Sequence, residues 1–301
     1  MASNVQRACS SITGFAQKYE EFTRKLMVKQ YSMRTIEGYA CRVAATSLHY
    51  GKLPENLSSE EISKYMHHTL TSRQTPTRIL FEKTRAGLSS YYRELGYPDR
   101  CIMLPSVRKF NKLPVILSFD ETYKLLHGAG NVRVKAILGM LYSCGLRVSE
   151  LCSLEIHDVN SGRMSVHVRQ GKGRKDRYIP LAESMLPVLR KYYMEYHPQT
   201  YLFNASNAST SGRQITSKEV SDILSVTCFR VKMTKHITCH TLRHTFASHL
   251  LEMGENILVV QRYLGHGWLS STLKYLQVVF PQKEKKRYFS PLDILLEKKQ
   301  G

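Results

Sequence analysis

The sequence has few acidic residues, a single tryptophan, no C-x-x-C pair and no long apolar run. Its seven cysteines (Cys9, Cys41, Cys101, Cys144, Cys152, Cys228, Cys239) are odd in number and lack metal-ligand spacing. That argues against a disulfide framework or a zinc knuckle and fits buried thiols in a reducing compartment. The longest uncharged apolar stretch, Ala136 to Leu146, holds eleven residues between Lys135 and Arg147, whereas a spanning helix needs roughly 20. Near the N-terminus Arg7 is followed by no long apolar region, so no secretory signal is expected and the protein should stay in the cytoplasm. No G-x-x-x-x-G-K-[ST] occurs, and Gly171-x-Gly173 lacks the third glycine of a dinucleotide fold, so nucleotide hydrolysis is not supported. His240 and His244 are four apart, but Thr241 stands where a zinc protease needs its glutamate base. No cofactor and no metal are expected.

Against 24 Asp and Glu the chain carries 44 Lys and Arg, a formal net charge of +20 over 301 residues. A field of that size suits a polyanion, either nucleic acid or an anionic membrane. Without a membrane segment, nucleic acid is the better partner. With 42% hydrophobic and 10% aromatic residues, the chain can build a core, and its length suggests two domains.

The expected class is mainly α with a small antiparallel β-hairpin. From Ser11 to about Gly96 the pattern predicts helices only. Phe15, Tyr19, Phe22 and Leu26 recur at helical spacing, and Ile36, Tyr39 and Val43 follow the cap-like Ser32. Ser58 with Glu61 forms a capping-box pattern, and a fourth helix runs from about Pro76 to Glu94. Residues 1–96 thus make a helical bundle. Residues 97–117 interleave Pro98, Pro105 and Pro114 with Arg100, Arg108, Lys109 and Lys112, as in a stiff basic linker. A second capping box, Ser118 with Glu121, opens a domain over 118–281. In it Met164–Val168 and Tyr178–Leu181 read as two strands joined by a charged turn, followed by helices to about Tyr275. Residues 282–301 form a tail in which Ser290 caps a short apolar helix containing Leu292, Ile294, Leu295 and Leu296.

On a helical wheel starting at His240, Leu242, Phe246, Leu250 and Met253 fall between about 200° and 280° and form the expected buried stripe. His240 and His244 point away from it, and Arg243 lies at its edge. His240 and Arg243 can therefore converge on one anion near the helix N-terminus.

Five motifs follow one another: Gly145-Leu146-Arg147-Val148-Ser149-Glu150-Leu151, Gly171-Lys172-Gly173, His240-Thr241-Leu242-Arg243, Leu264-Gly265-His266, and Tyr275. Together they make the catalytic half, about Ser118 to Phe280, resemble the tyrosine recombinase (phage integrase) family, and in particular its Xer-like and transposon-borne members. The N-terminal bundle resembles that family's core-binding (SAM-like) domain. The resemblance implies a C-shaped clamp around double-stranded DNA with inverted-repeat sites, acting as a homo- or hetero-tetramer. The reaction it implies is strand cleavage and rejoining through a 3′-phosphotyrosine, for integration, excision or transposition. The C-terminal helix would dock on a neighbouring protomer.

The chemistry explains the residue types. Two arginines, always charged and forked, suit the charge that develops on the non-bridging oxygens of a phosphodiester, and Arg147 and Arg243 take that role. A tyrosine hydroxyl ionises near pH 10 and needs a base or cations to attack, which makes Tyr275 the nucleophile and His240 its base. Lys172, on a turn shared with Arg174, Lys175 and Arg177, is the acid for the leaving 5′ oxygen, with Lys175 as its rival. His266 would hydrogen-bond the phosphate, and Glu150 would position Arg147. A type IB topoisomerase and a DNA-binding protein with a retired site remain alternatives.

Overall fold

The computed structural model describes residues 3–71, 77–106, 113–169, 176–205 and 212–276. The chain divides into two units, residues 1–110 and 111–301.

The first unit contains the helices α1 (Asn4–Ser11), α2 (Phe15–Val28), α3 (Met33–Tyr50), α4 (Ser59–Thr71) and α5 (Thr77–Glu94). Ser32 accepts the Thr35 N–H to start α3, and Ser58 and Glu61 exchange the two hydrogen bonds of a capping box before α4. The sequence pattern missed α1. This helix buries only Ala8 and is held at its start by a capping box between Ser3 and Gln6, so it has no apolar stripe to read. Phe15, Phe22, Leu26, Ile62, Met66 and Leu88 are central to the core. A Cβ on Gly87 would lie 3.1 Å from the Tyr39 carbonyl oxygen, so glycine here lets α5 lie close against α3. The segment expected as linker is folded at its start: Pro98–Cys101 form a 3-10 turn and Leu104 is buried in the first core. Arg108, Lys109 and Lys112 lie outside the described residues.

In the second unit follow α6 (Phe119–His127), α7 (Val132–Ser143), α8 (Val148–Cys152), the strands β1 (Val159–Asn160), β2 (Ser165–Val168) and β3 (Arg177–Pro180), and then α9 (Met185–Tyr196), α10 (Ser217–Arg230), α11 (Cys239–Glu252), α12 (Ile257–Leu264) and α13 (Ser270–Leu273). The eleven-residue apolar run of the sequence is accounted for by α7, in which every residue from Ala136 to Leu141 is buried. It is the central helix of this core, packed on α9 and α11. The strands pair antiparallel in the order β1-β2-β3, with Val166 opposite Ile179 and Val168 opposite Arg177. The expected hairpin is thus part of a three-stranded sheet. The extra strand has only two residues, too few to show an alternation.

The wheel drawn for α11 needs correction. Its buried residues include Thr241, Arg243, Thr245, Ser248 and His249 as well as Leu242 and Phe246, whereas Met253, expected in the stripe, is exposed. Of these polar residues, Thr241, Arg243, Thr245 and His249 bond locally or across elements, whereas the Ser248 hydroxyl has no hydrogen-bond partner among the described residues. Thr245 donates to the Thr241 carbonyl, and His249 bridges the Leu117 carbonyl and the Tyr142 hydroxyl. All seven cysteines are free, three buried and four half-buried. Among the described residues no helix is long and apolar enough to cross a membrane.

Candidate active site

The site is built around the start of α8. Gly145 adopts φ +55°, and a Cβ there would lie 2.3 Å from the Phe246 ring, so only glycine fits this turn against α11. Arg147 is the N-cap of α8 and Glu150 its third residue. The Glu150 carboxylate accepts the Arg147 backbone N–H at 2.8 Å and its Nη1 at 2.5 Å. The same carboxylate receives two bonds from Arg177, Nη1 to Oε1 at 3.0 Å and Nη2 to Oε2 at 2.8 Å. Arg243 Nη1 lies 3.7 Å from Oε2.

Arg243 is buried on α11 and does not merely flank it. Its Nη1 donates to the Gly145 carbonyl at 2.7 Å and its Nη2 to the Leu264 carbonyl. Burial, followed by the Arg147 charge, brings its pKa down to about 10, still well above neutrality. For Glu150, burial would raise the carboxyl, but the hydrogen bond and charge of Arg177 and the backbone and charge of Arg147 outweigh it and hold the group at about 2. Arg147 and Arg243 are thus brought together over one carboxylate.

Tyr275 follows α13 and is fully covered. Its hydroxyl is 2.8 Å from Nδ1 of His244. Burial pushes the phenol up to about 12, against the lowering charges of Arg243 and Arg147. The His266 ring lies nearly parallel to the Tyr275 ring, centroids 6.4 Å apart, and its Nδ1 is 2.9 Å from the Thr272 hydroxyl. Burial, then Arg243 and Arg147, lower His266 to about 3, and burial, then Lys274, lower His244 to about 4. Both rings are neutral at neutral pH. In the tautomer protonated at Nε2, His244 Nδ1 is the acceptor of a hydrogen bond from the Tyr275 hydroxyl.

The base expected for Tyr275 was His240. It sits in the first turn of α11, facing solvent, with its ring edge-on to His244 at 5.7 Å, and the histidine hydrogen-bonded to the phenol is His244. The wheel had turned His244 away from the buried side, but the ring is half-buried against Tyr275. The i, i+4 spacing of the two histidines was the available signal. Lys274, also unassigned from sequence, places its ammonium 5.1 Å from the Tyr275 ring centroid. Trp268 is 78% exposed. Lys172, its rival Lys175, Arg174 and the C-terminal segment with Ser290 lie outside the described residues. Among the described residues no group of histidine, cysteine and acidic side chains could hold a metal ion.

Residues 110–281 match the phage integrase family. Over 262 residues the chain is 33% identical to integrase/recombinase y4qK of Sinorhizobium fredii, covering 86% of this chain and 83% of that one. Over 270 residues it is 30% identical to a tyrosine recombinase of Thermosipho africanus, covering 85% and 93%. In three dimensions it resembles lambda integrase residues 75–356, solved as a dimer bound to a core site. The TM-score is 0.71 at 17% identity, covering 92% of this chain and 99% of the other. The chain belongs to the phage integrase family of tyrosine recombinases, and its activity class is site-specific DNA recombination.

Proposed function

We propose that this chain cuts and reseals double-stranded DNA at inverted-repeat sites, with Tyr275 as the nucleophile. The observation that carries the reading is the placement of the Tyr275 phenol beside a neutral imidazole and in the field of Arg147 and Arg243. The Tyr275 oxygen attacks phosphorus while its proton passes to His244, and the bond to the 5′ oxygen breaks. That oxygen leaves as a hydroxyl, taking a proton from Lys172. Arg147, Arg243 and His266 hold the charge that grows on the non-bridging oxygens. The resulting 3′-phosphotyrosine keeps the energy of the broken bond, so attack by a different 5′ hydroxyl rejoins the strand without ATP. Tyr275 is fully covered, so a phosphate reaches its oxygen only after the groups packed over it shift.

The excess of basic side chains supports duplex DNA as the partner and predicts binding that weakens steeply with salt. Lambda integrase has been solved as a tetramer bound to a Holliday junction. By likeness this chain would assemble as four protomers that exchange one strand pair at a time. The test uses a nicked duplex from which the 5′ product diffuses away. The wild type accumulates a covalent protein–DNA adduct that survives denaturing electrophoresis, and Tyr275→Phe binds the duplex but forms none. An adduct persisting in Tyr275→Phe refutes the nucleophile. Relaxation of supercoiled DNA lacking any recombination site, by a monomer, would point to a topoisomerase instead.

A further inference from the structure

Arg177 is the first residue of β3 and stands five residues after Lys172 in the sequence. In that strand Arg177 and Ile179 face inward while Tyr178 and Pro180 face outward. An arginine therefore fills a core position, opposite Val168, where an aliphatic residue would ordinarily stand. A buried charge at such a place has to be matched. Arg177 is matched on both edges of its guanidinium: Nη1 and Nη2 fork onto the two oxygens of Glu150, and Nε donates to the Tyr263 carbonyl at 2.7 Å. It also lies directly against the turn of the L-G-H motif. Gly265 adopts φ +61°, and a Cβ there would stand 3.0 Å from Arg177 Cδ and 3.1 Å from its Nη1. One side chain thus touches the carboxylate that holds Arg147 and approaches Arg243, and the turn that presents His266.

The charges give this arrangement a purpose. Glu150 is a full negative charge within reach of both arginines assigned to the phosphate. If it faced only those two, it would offset half of their positive charge. The forked bond from Arg177 supplies the counter-charge instead.

We propose that Arg177 is a positioning residue of this site: it occupies the Glu150 carboxylate, so that the charges of Arg147 and Arg243 remain available to the scissile phosphate, while bracing the turn that carries His266. The proposal rests on the reading of Arg147, Arg243 and Tyr275 given above. Arg177 itself touches no substrate.

The test measures single-turnover cleavage on two substrates, a normal phosphodiester and a methylphosphonate at the scissile position, whose non-bridging positions carry no charge. Arg177→Met should cleave the phosphodiester about 100-fold more slowly than wild type, the effect of losing one donor to the transition-state charge. It should slow on the methylphosphonate by less than about tenfold, because that transition state carries one negative charge on its non-bridging positions instead of two and so depends less on both arginine charges. Damage to packing would slow both alike. Arg177→Met combined with Glu150→Gln removes both members of the buried pair, a change that folds tolerate better than loss of one. With no unmatched carboxylate, it should recover at least about tenfold of the lost phosphodiester rate. Equal losses on the two substrates, or a double variant no faster than Arg177→Met, would overturn the proposal. The wild type serves as control for the underlying reading: if it forms no adduct the assigned chemistry is wrong, and if it forms one while Arg177→Met cleaves at full rate, only the role of Arg177 is wrong.

Discussion

Two tyrosines buried to the same degree, one in each unit, have opposite surroundings. Tyr91 in the first unit and Tyr275 in the second are both essentially inaccessible, and burial raises both phenols. Tyr91 donates its proton to the Glu55 carboxylate at 2.8 Å, and that negative charge raises it further. Its neighbour Tyr92 bonds the Pro54 carbonyl and is held at about 12 by burial, with Arg100 opposing. Among the described residues Tyr275 meets no carboxylate. Its partner is an uncharged histidine, and the nearby charges are the cations of Arg243, Arg147 and Lys274. Burial alone keeps a phenol inert, and the sign of its neighbours decides whether an anion can form there. The first arrangement locks a hydroxyl in place, whereas the second leaves its proton able to move.

The largest effect expected from breaking that contrast is the complete loss of adduct in Tyr275→Phe. Next is Arg243→Gln, which removes one of the two cations that favour the Tyr275 anion and bind the phosphate. Single-turnover cleavage should fall by about 10² to 10³. The remaining rate should also need higher pH, because the phenol loses a charge that lowers its pKa. A residual rate with the wild-type pH profile would show that Arg243 acts only on the phosphate.

A smaller effect separates the two histidines. Burial holds His244 near pKa 4, so the ring is neutral at neutral pH and wild-type cleavage should stay level from pH 7 down to roughly pH 5. His244→Ala should lose on the order of 10² in rate. Its cleavage should then climb with pH toward the ionisation of Tyr275 near 12, because the phenol must lose its proton unaided. His240→Ala should keep the level profile. If the climb follows loss of His240 instead, the proton goes to the first histidine of α11 once DNA is bound.

These residues were not equally legible in the sequence. Arg147 and Glu150 stand three apart at a helix start, a spacing that local hydrogen bonding enforces, and the structure joins them as that spacing implies. Tyr275, Arg243 and His266 could be named from ordered motifs. How the α11 side chains divide between core and site could not be read, because that helix is covered on nearly every face and its apolar period does not report its environment. His244 was visible as a spacing but was assigned no role. Arg177 had a signal as well, an arginine in phase with the inward Ile179 of a short strand, but its partner Glu150 is 27 residues away and only the fold brings them together. The helix α1 and strand β1 were missed for a simpler reason: one buried residue or a two-residue strand leaves no period to detect.

The smallest effect comes from the other side of the comparison. Tyr91→Phe removes a hydroxyl that binds a carboxylate, leaving Glu55 with Lys18 at 3.9 Å. A buried hydrogen bond to a charged group contributes about 1.5 to 3 kcal/mol, so the melting temperature should fall by several degrees. Below that transition, adduct formation and its pH profile should match wild type, because the first unit contributes none of the groups assigned to the reacting phosphate. The two substitutions delete the same atom from equally buried rings. If Tyr91→Phe slowed cleavage as well as melting, the second unit's chemistry would depend on the integrity of the first, and the contrast between a locked phenol and a reactive one would no longer be a property of their immediate neighbours.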